Sequence, residues 1–183
     1  TINLGMMYGM GVNKLSEQLD IPIDDAKTLI NQYHERVPFV KMLMRGVTDR
    51  LNDKASNGAI RSLKGRKCRF DLWEPDTFEM NKALPYQEAV LEYGATARLK
   101  RAYTYKALNR LIQASAADMT KQAMVNVYES GIVPLIQIHD ELAISVKDKA
   151  QADSVAKVME DSIPLEVPNA CSVEVGESWG TAA

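Results

Sequence analysis

Two neighbouring carboxylates, Asp140 and Glu141, follow His139 between the apolar runs Val133 to Ile138 and Leu142 to Val146. Adjacent carboxylates at a tight turn repel one another, and flanking apolar strands lower the local dielectric, so a cation or a set of donors must offset the repulsion. Hard oxygen ligands of this kind suit Mg²⁺, with Mn²⁺ as a substitute. A hairpin tip holds them on a rigid scaffold while leaving coordination positions open for phosphate oxygens. The plain alternative is a solvated acidic turn. An unrelated metal-dependent hydrolase using His139, Asp140 and Glu141 as ligands would need a further cluster of histidines or carboxylates, and His34 is the only other histidine.

Other side chains narrow the chemistry. Cys68 and Cys171 are far apart, lack CxxC spacing and have no neighbouring histidine cluster, so neither a zinc site nor a disulfide framework is indicated. The formal charge of -2 and pI near 5.7 exclude a uniformly basic nucleic-acid binder, so any DNA contact must come from local patches. Arg61, Lys64, Arg66, Lys67 and Arg69 make one such patch. No apolar run approaches the length of a membrane span and the first residues lack the order of a signal peptide, which gives the expectation of a soluble, cytoplasmic protein with no membrane partner.

The elements that must hold these residues follow from apolar spacing. The 183 residues, 46% of them apolar, suffice for one ordinary domain with a real core, and the pattern predicts an α+β chain. After a Gly-rich opening, a first helix starts near Val12 with Leu15 and Leu19 on one face and ends before Pro22. A second carries Asp24 and Asp25 in its first turn and Ala26, Leu29, Ile30 and Tyr33 as its stripe, until Pro38 stops it. A third runs from Phe39 to about Asn52 and buries Val40, Leu43, Met44, Val47 and Leu51. Asn57-Gly58 and Lys64-Gly65 mark turns around a hairpin of Ala59 to Leu63 and Arg66 to Leu72, whose exposed positions are basic. Trp73 to Pro85 reads as an irregular connection. From about Gln87 to Tyr128 the chain is helix-rich, most regularly over Ala107 to Val127. The acidic-tipped hairpin follows, then a helix capped by Asp148, then a last strand over Ser172 to Val175.

Three segments in order resemble motifs of the family A DNA polymerases. Leu135-Ile136-Gln137-Ile138-His139-Asp140-Glu141-Leu142 resembles motif C, Thr1-Ile2-Asn3-Leu4-Gly5-Met6-Met7-Tyr8-Gly9 the second half of motif B, and Asn109-Arg110-Leu111-Ile112-Gln113-Ala114-Ser115-Ala116-Ala117-Asp118 the palm helix along the primer-template minor groove. The resemblance implies a helical fingers part over residues 1–56 and a palm part over 57–183 with antiparallel hairpins and a long helix, an incomplete right-hand polymerase fold. It implies that Asp140 and Glu141 serve two catalytic Mg²⁺ ions. By the same resemblance His139 lies near the primer terminus, and Gln113 and Asn109 offer donors to minor-groove acceptors, with Arg110 beside them. Tyr8, Gly5 and Leu4 would face the incoming dNTP, and Arg61, Arg66 and Lys67 the duplex backbone of the primer-template DNA.

Leu4 stands where the family commonly has Phe or Tyr, so it can exclude bulk at the sugar but cannot stack or donate a hydroxyl. No Asp-Tyr-Ser segment of the motif A kind occurs in the chain, and Asp71-Leu72-Trp73-Glu74 is a poor substitute. Two-metal chemistry needs carboxylates from both sides. The expectation is therefore a carboxy-terminal polymerase piece, phage-type by its Leu4 replacement and short palm, completed by an upstream segment in cis or in trans and inactive alone. An apolar surface left for that segment predicts self-association. The alternative is a non-catalytic remnant that binds nucleic acid or a partner.

Overall fold

A computed structural model describes residues 5–182 apart from Met7, Gly9, Phe78 and Met80, with Lys54 described by its backbone. Leu4 and Gly9 lie outside the described residues. The chain is α+β and divides into two compact units, Thr1–Ile112 and Gln113–Ala183, within its longest helix. The fingers–palm division expected between residues 56 and 57 is one of role, distinct from this division by packing. Side chains from either side of that point, Val47 and Leu51 before it and Ile60 and Phe70 after it, share one core.

In the first unit, α1 (Val12–Leu19), α2 (Ile23–Arg36) and α3 (Pro38–Asn52) form where the spacing predicts. Asp20 takes a left-handed conformation (φ 52°) to end α1. Asp24 and Asp25 at the start of α2, with His34 and Arg36 in its last turn, match the helix dipole. Pro38 opens α3, where its missing N–H is not needed. Leu15, Ala26 and Met6 are buried together, with Ile30 and Tyr33 packed against them. Two expected core residues are exposed instead: Leu29 (43%) and Leu43 (44%). Each follows the first buried residue of its helix by three positions, about 60° off the centre of the apolar stripe, and the neighbouring element covers only the centre.

β1 (Ala59–Arg61) and β2 (Lys67–Arg69) form the expected antiparallel hairpin, with Ile60 opposite Cys68 and Arg61 opposite Lys67. Ile60 and Cys68 join Val47, Leu51, Phe70, Ala107 and Leu108 in the second core of this unit. The stretch expected to be irregular instead supplies β3 (Leu72–Pro75) and β4 (Leu84–Pro85), and β3 pairs on its other side with β5 (Leu99–Arg101). Both prolines stand at strand ends, and β4 is an edge strand, where a lost N–H is tolerated. β5 likewise breaks the expected helix-rich region after α4 (Tyr86–Tyr93). Its Arg101 lies 4.5 Å above the Trp73 ring and donates to the Phe70 carbonyl at 2.8 Å. Gly58, in the left-handed region at φ 67°, leaves room for that guanidinium: a Cβ there would fall 2.2 Å from it. A 3-10 turn, Thr104–Lys106, leads into α5 (Ala107–Glu129).

In the second unit, α5 ends at Glu129, Gly131 (φ 87°) turns the chain, and β6 (Pro134–Ile138) pairs antiparallel with β7 (Glu141–Ile144). α6 (Lys149–Glu160) begins at Asp148, whose Oδ1 accepts the Gln151 N–H at 2.8 Å, while Gln151 Oε1 accepts the Lys147 N–H at 2.8 Å. This reciprocal pair satisfies two amides at the helix entry. Ala123, Val127, Ala152 and Val155 are its buried apolar residues. The last expected strand, Ser172 to Val175, does not form. Its alternation finds no partner among the sheets of the described residues, and an unpaired strand leaves its backbone groups to water.

Candidate functional site

The β6–β7 register sets the acidic tip. Ile138 pairs with Glu141, so His139 and Asp140 are the whole reversal. His139 adopts φ 53°, the left-handed value that a two-residue hairpin turn requires at its first position and that a side chain tolerates poorly. The Gln137 side-chain amide donates to the His139 carbonyl and ties the turn to its own strand. Because the turn is this tight, Asp140 and Glu141 emerge on consecutive residues, both exposed. Among the described residues neither carboxylate has a hydrogen-bond or ion-pair partner, unlike Asp148 and Asp153, which serve α6.

No group of three or more His, Cys, Asp or Glu that could hold a metal ion occurs among the described residues. Asp140 and Glu141 nevertheless fit one side of a magnesium site: they are hard oxygen donors, unpartnered, held by a paired strand, and few enough to leave the rest of an octahedral shell to water and phosphate. The hydrolase reading, with His139, Asp140 and Glu141 as a ligand set, has no further cluster among the described residues to complete it.

On α5, Asn109 is half-buried and Gln113, one turn on, is exposed. Neither side chain bonds to nearby backbone among the described residues, so local backbone satisfaction does not account for them. Arg110 differs. Its Nη1 donates to the Arg69 carbonyl at 3.2 Å and its guanidinium lies 4.9 Å from the centre of the Phe70 ring, which anchors the start of α5 to β2.

The basic patch is ordered by strand alternation. Ile60 and Cys68 point to the core, which puts Arg61, Lys67 and Arg69 together on the outer face of the hairpin. Arg61 and Lys67 are directly opposite, and like charges so placed destabilise a strand pair, an arrangement that a bound anion would relieve. Arg61 partly satisfies itself through the Gly65 carbonyl at 2.8 Å. Arg66 lies in the loop, where its backbone N–H is held by the Ser62 hydroxyl at 3.1 Å. Near the amino terminus Gly5 is helical and Tyr8 lies half-buried in a turn. The space a Cβ would take at Gly5 is filled by the flexible end of Met10, so the close approach here is the protein's own.

One cluster escaped the sequence reading. Tyr103, Tyr105 and Lys106, just ahead of α5, put two rings around one ammonium group. The alternation Tyr-Thr-Tyr-Lys before the palm-like motif was the available signal.

Residues 1–181 match the family model described as DNA polymerase family A. The chain is 30% identical to a DNA-directed DNA polymerase of Pseudomonas phage M6, over 98% of this chain and 28% of that protein. It is 32% identical to a thermostable DNA polymerase I of Thermus thermophilus, over all of this chain and 20% of the relative. Among solved structures it resembles the POL domain of Pol1 from M. smegmatis in complex with DNA primer-template and dNTP, with a TM-score of 0.72 and 29% identity over 99% of this chain and 30% of that one. It thus spans less than a third of the length of these relatives. With the three motif-like segments in family order and the match running through nearly every residue, this chain belongs to DNA polymerase family A.

Proposed function

We propose that the chain supplies part of the fingers (residues 1–56) and of the palm (residues 57–183) of a template-directed DNA polymerase. The observation that carries this reading is the pair Asp140 and Glu141, unpartnered and exposed on a two-residue hairpin turn, in a chain of this family. In the reaction the primer 3′-hydroxyl gives its proton to water and its oxygen bonds to the α-phosphorus of a dNTP, while the bond to pyrophosphate breaks. Magnesium, when bound, lowers the hydroxyl's pKa and neutralises charge on the leaving group. Asp140 would hold the metal, Glu141 would support it from the start of β7, and His139 borders the primer end. Gln113 and Asn109 offer free amide donors to minor-groove acceptors, which correct pairs present in fixed positions. Arg61, Arg66 and Lys67 neutralise backbone phosphates, and Tyr8, Gly5 and Leu4 border the dNTP.

Two carboxylates make one side of a two-metal site, so the second side comes from an upstream segment, in cis or in trans, and the chain alone binds DNA without extending it. Exposed Leu135 and Ile136 on β6 support self-association when that segment is absent. The test is primer extension with Mg²⁺ by this chain, by a polypeptide carrying the upstream segment, and by their mixture, with Asp140→Asn as control. Activity in the mixture alone, lost on substitution, is the expected result. No extension and no DNA binding by a folded mixture would sink the reading.

A further inference from the structure

We infer that Tyr103, Lys106 and Tyr105 form a stacking clamp for an unpaired nucleobase of a single-stranded nucleic-acid segment. The inference rests on the nucleic-acid reading above and adds a site to it. Tyr103 and Tyr105 are 41% and 68% exposed, and among the described residues neither hydroxyl has a hydrogen-bond partner. The Lys106 ammonium stands 5.1 Å from the Tyr103 ring centre and 5.5 Å from that of Tyr105, so one cation is shared by two rings. It has no acidic partner among the described residues.

The backbone argues that this is a maintained arrangement. Tyr103 takes φ 59°, a left-handed conformation that a bulky aromatic residue rarely adopts, and it does so without burying its ring. Strain of this kind persists where the surroundings impose it and clusters at binding sites. The 3-10 turn Thr104–Lys106 then fixes Tyr105 and Lys106 directly at the entry to α5, one helical turn ahead of Asn109. A solvated surface would relax the strain by placing Gly or Asn at position 103.

The electrostatics select the occupant. Residues 93–117 contain no acidic side chain and five cations, Arg98, Lys100, Arg101, Lys106 and Arg110. Arg98 and Lys100 are engaged by Asp76, each at 3.4 Å, Arg101 covers Trp73, and Arg110 covers Phe70. Lys106, between exposed rings, is the cation left for a phosphate. Exposed aromatic faces beside such a cation match the pairing by which proteins hold single strands, base on ring and phosphate on cation, with little regard for sequence. In a base-paired duplex interior bases are covered on both faces and a terminal pair on one, so duplex DNA cannot fill a clamp of two rings.

The test measures binding of the 183-residue chain to a blunt duplex, to the same duplex with a short single-stranded overhang, and to a single strand carrying 2-aminopurine, by fluorescence anisotropy and 2-aminopurine quenching. The variants are Tyr105→Ala, Tyr105→Phe, and Tyr103→Asn, which removes a ring at a position whose backbone Asn accepts. Each ring removal is expected to weaken overhang and single-strand binding on the order of tenfold and to reduce quenching, leaving blunt-duplex binding and Tyr105→Phe unchanged. Equal loss on blunt and overhang DNA, or no loss on either, overturns the clamp while leaving the nucleic-acid reading intact. Failure of the unaltered chain to bind any of the three DNAs overturns both.

Discussion

Arg110 sits among the residues expected to touch DNA, yet its guanidinium is engaged within the protein, and this can be measured. Phe70 is 3% exposed and belongs to the core that joins α3, the β1–β2 hairpin and the start of α5. Arg110 covers its ring at 4.9 Å and bonds the preceding carbonyl at 3.2 Å. A cation over a ring at an exposed site contributes about 0.5–1 kcal/mol. A long hydrogen bond from an exposed guanidinium, for which water competes, adds about 0.5 kcal/mol, the low end for an ordinary intramolecular hydrogen bond. Arg110→Met, which keeps an unbranched apolar stem, should therefore cost about 1–1.5 kcal/mol, and Phe70→Leu about 1 kcal/mol through altered packing. A double-mutant cycle isolates the ring–guanidinium contact at about 0.5–1 kcal/mol. The assay is urea unfolding followed by Trp73, which lies in the same unit, in a Trp179→Phe background. Coupling below about 0.3 kcal/mol, the ordinary error of additivity, would refute the anchor. The anchor also predicts that Arg110→Met leaves the salt dependence of DNA binding unchanged, whereas loss of a phosphate contact lowers the log–log slope by about one.

Two further expectations concern the second unit. Burial, with the Glu160 carboxylate as a second cause, raises the pKa of the Cys171 thiol, so its thiolate is scarcer than in the unfolded chain. Alkylation of Cys171 by iodoacetamide at mildly alkaline pH should be slower in native than in urea-unfolded protein and should speed up in Glu160→Gln, as read by peptide mass spectrometry. By linkage, the stability this group contributes is complete below the ordinary thiol range and is lost as pH rises through the raised value. At the acidic turn, His139→Gly relieves a left-handed backbone at a cost in chain entropy, while His139→Ala keeps the strain. The glycine variant should be the more stable of the two by roughly 1 kcal/mol in thermal unfolding, and the reverse order would show that the His139 conformation is not strained.

Much of the fold was legible because its signals were local. Pro22 and Pro38 bound the helices, Asp148 caps α6, and Asn57-Gly58 sets off the β1–β2 hairpin. The three-stranded sheet was not, since β3, β4 and β5 are held by pairing between distant residues such as Trp73 and Arg101, and strands of two to four residues carry too little alternation to read. At the candidate site, the residue types and an acidic-tipped hairpin were visible in the order His-Asp-Glu, but the turn is one residue shorter than the apolar runs suggest, because Glu141 already pairs with Ile138. The engagement of Arg110 was invisible, because its partners lie some forty residues earlier in the chain. Tyr103 and Tyr105 were overlooked because a backbone angle and a shared cation, rather than a familiar spacing, make them distinctive.

The packing of Gly58 beneath Arg101 bears on how this sequence can drift. Residue 58 is barred from carrying a side chain twice over, by its φ of 67° and by the guanidinium in its place. Shrinking residue 101 removes only the second barrier and uncovers Trp73 in doing so. Single substitutions at 58 should therefore stay depleted in a mutational scan even in backgrounds where 101 is small, whereas tolerance at 101 should hinge on what residue 73 is. The epistasis is one-sided: position 101 can be negotiated with its neighbours, and position 58 cannot.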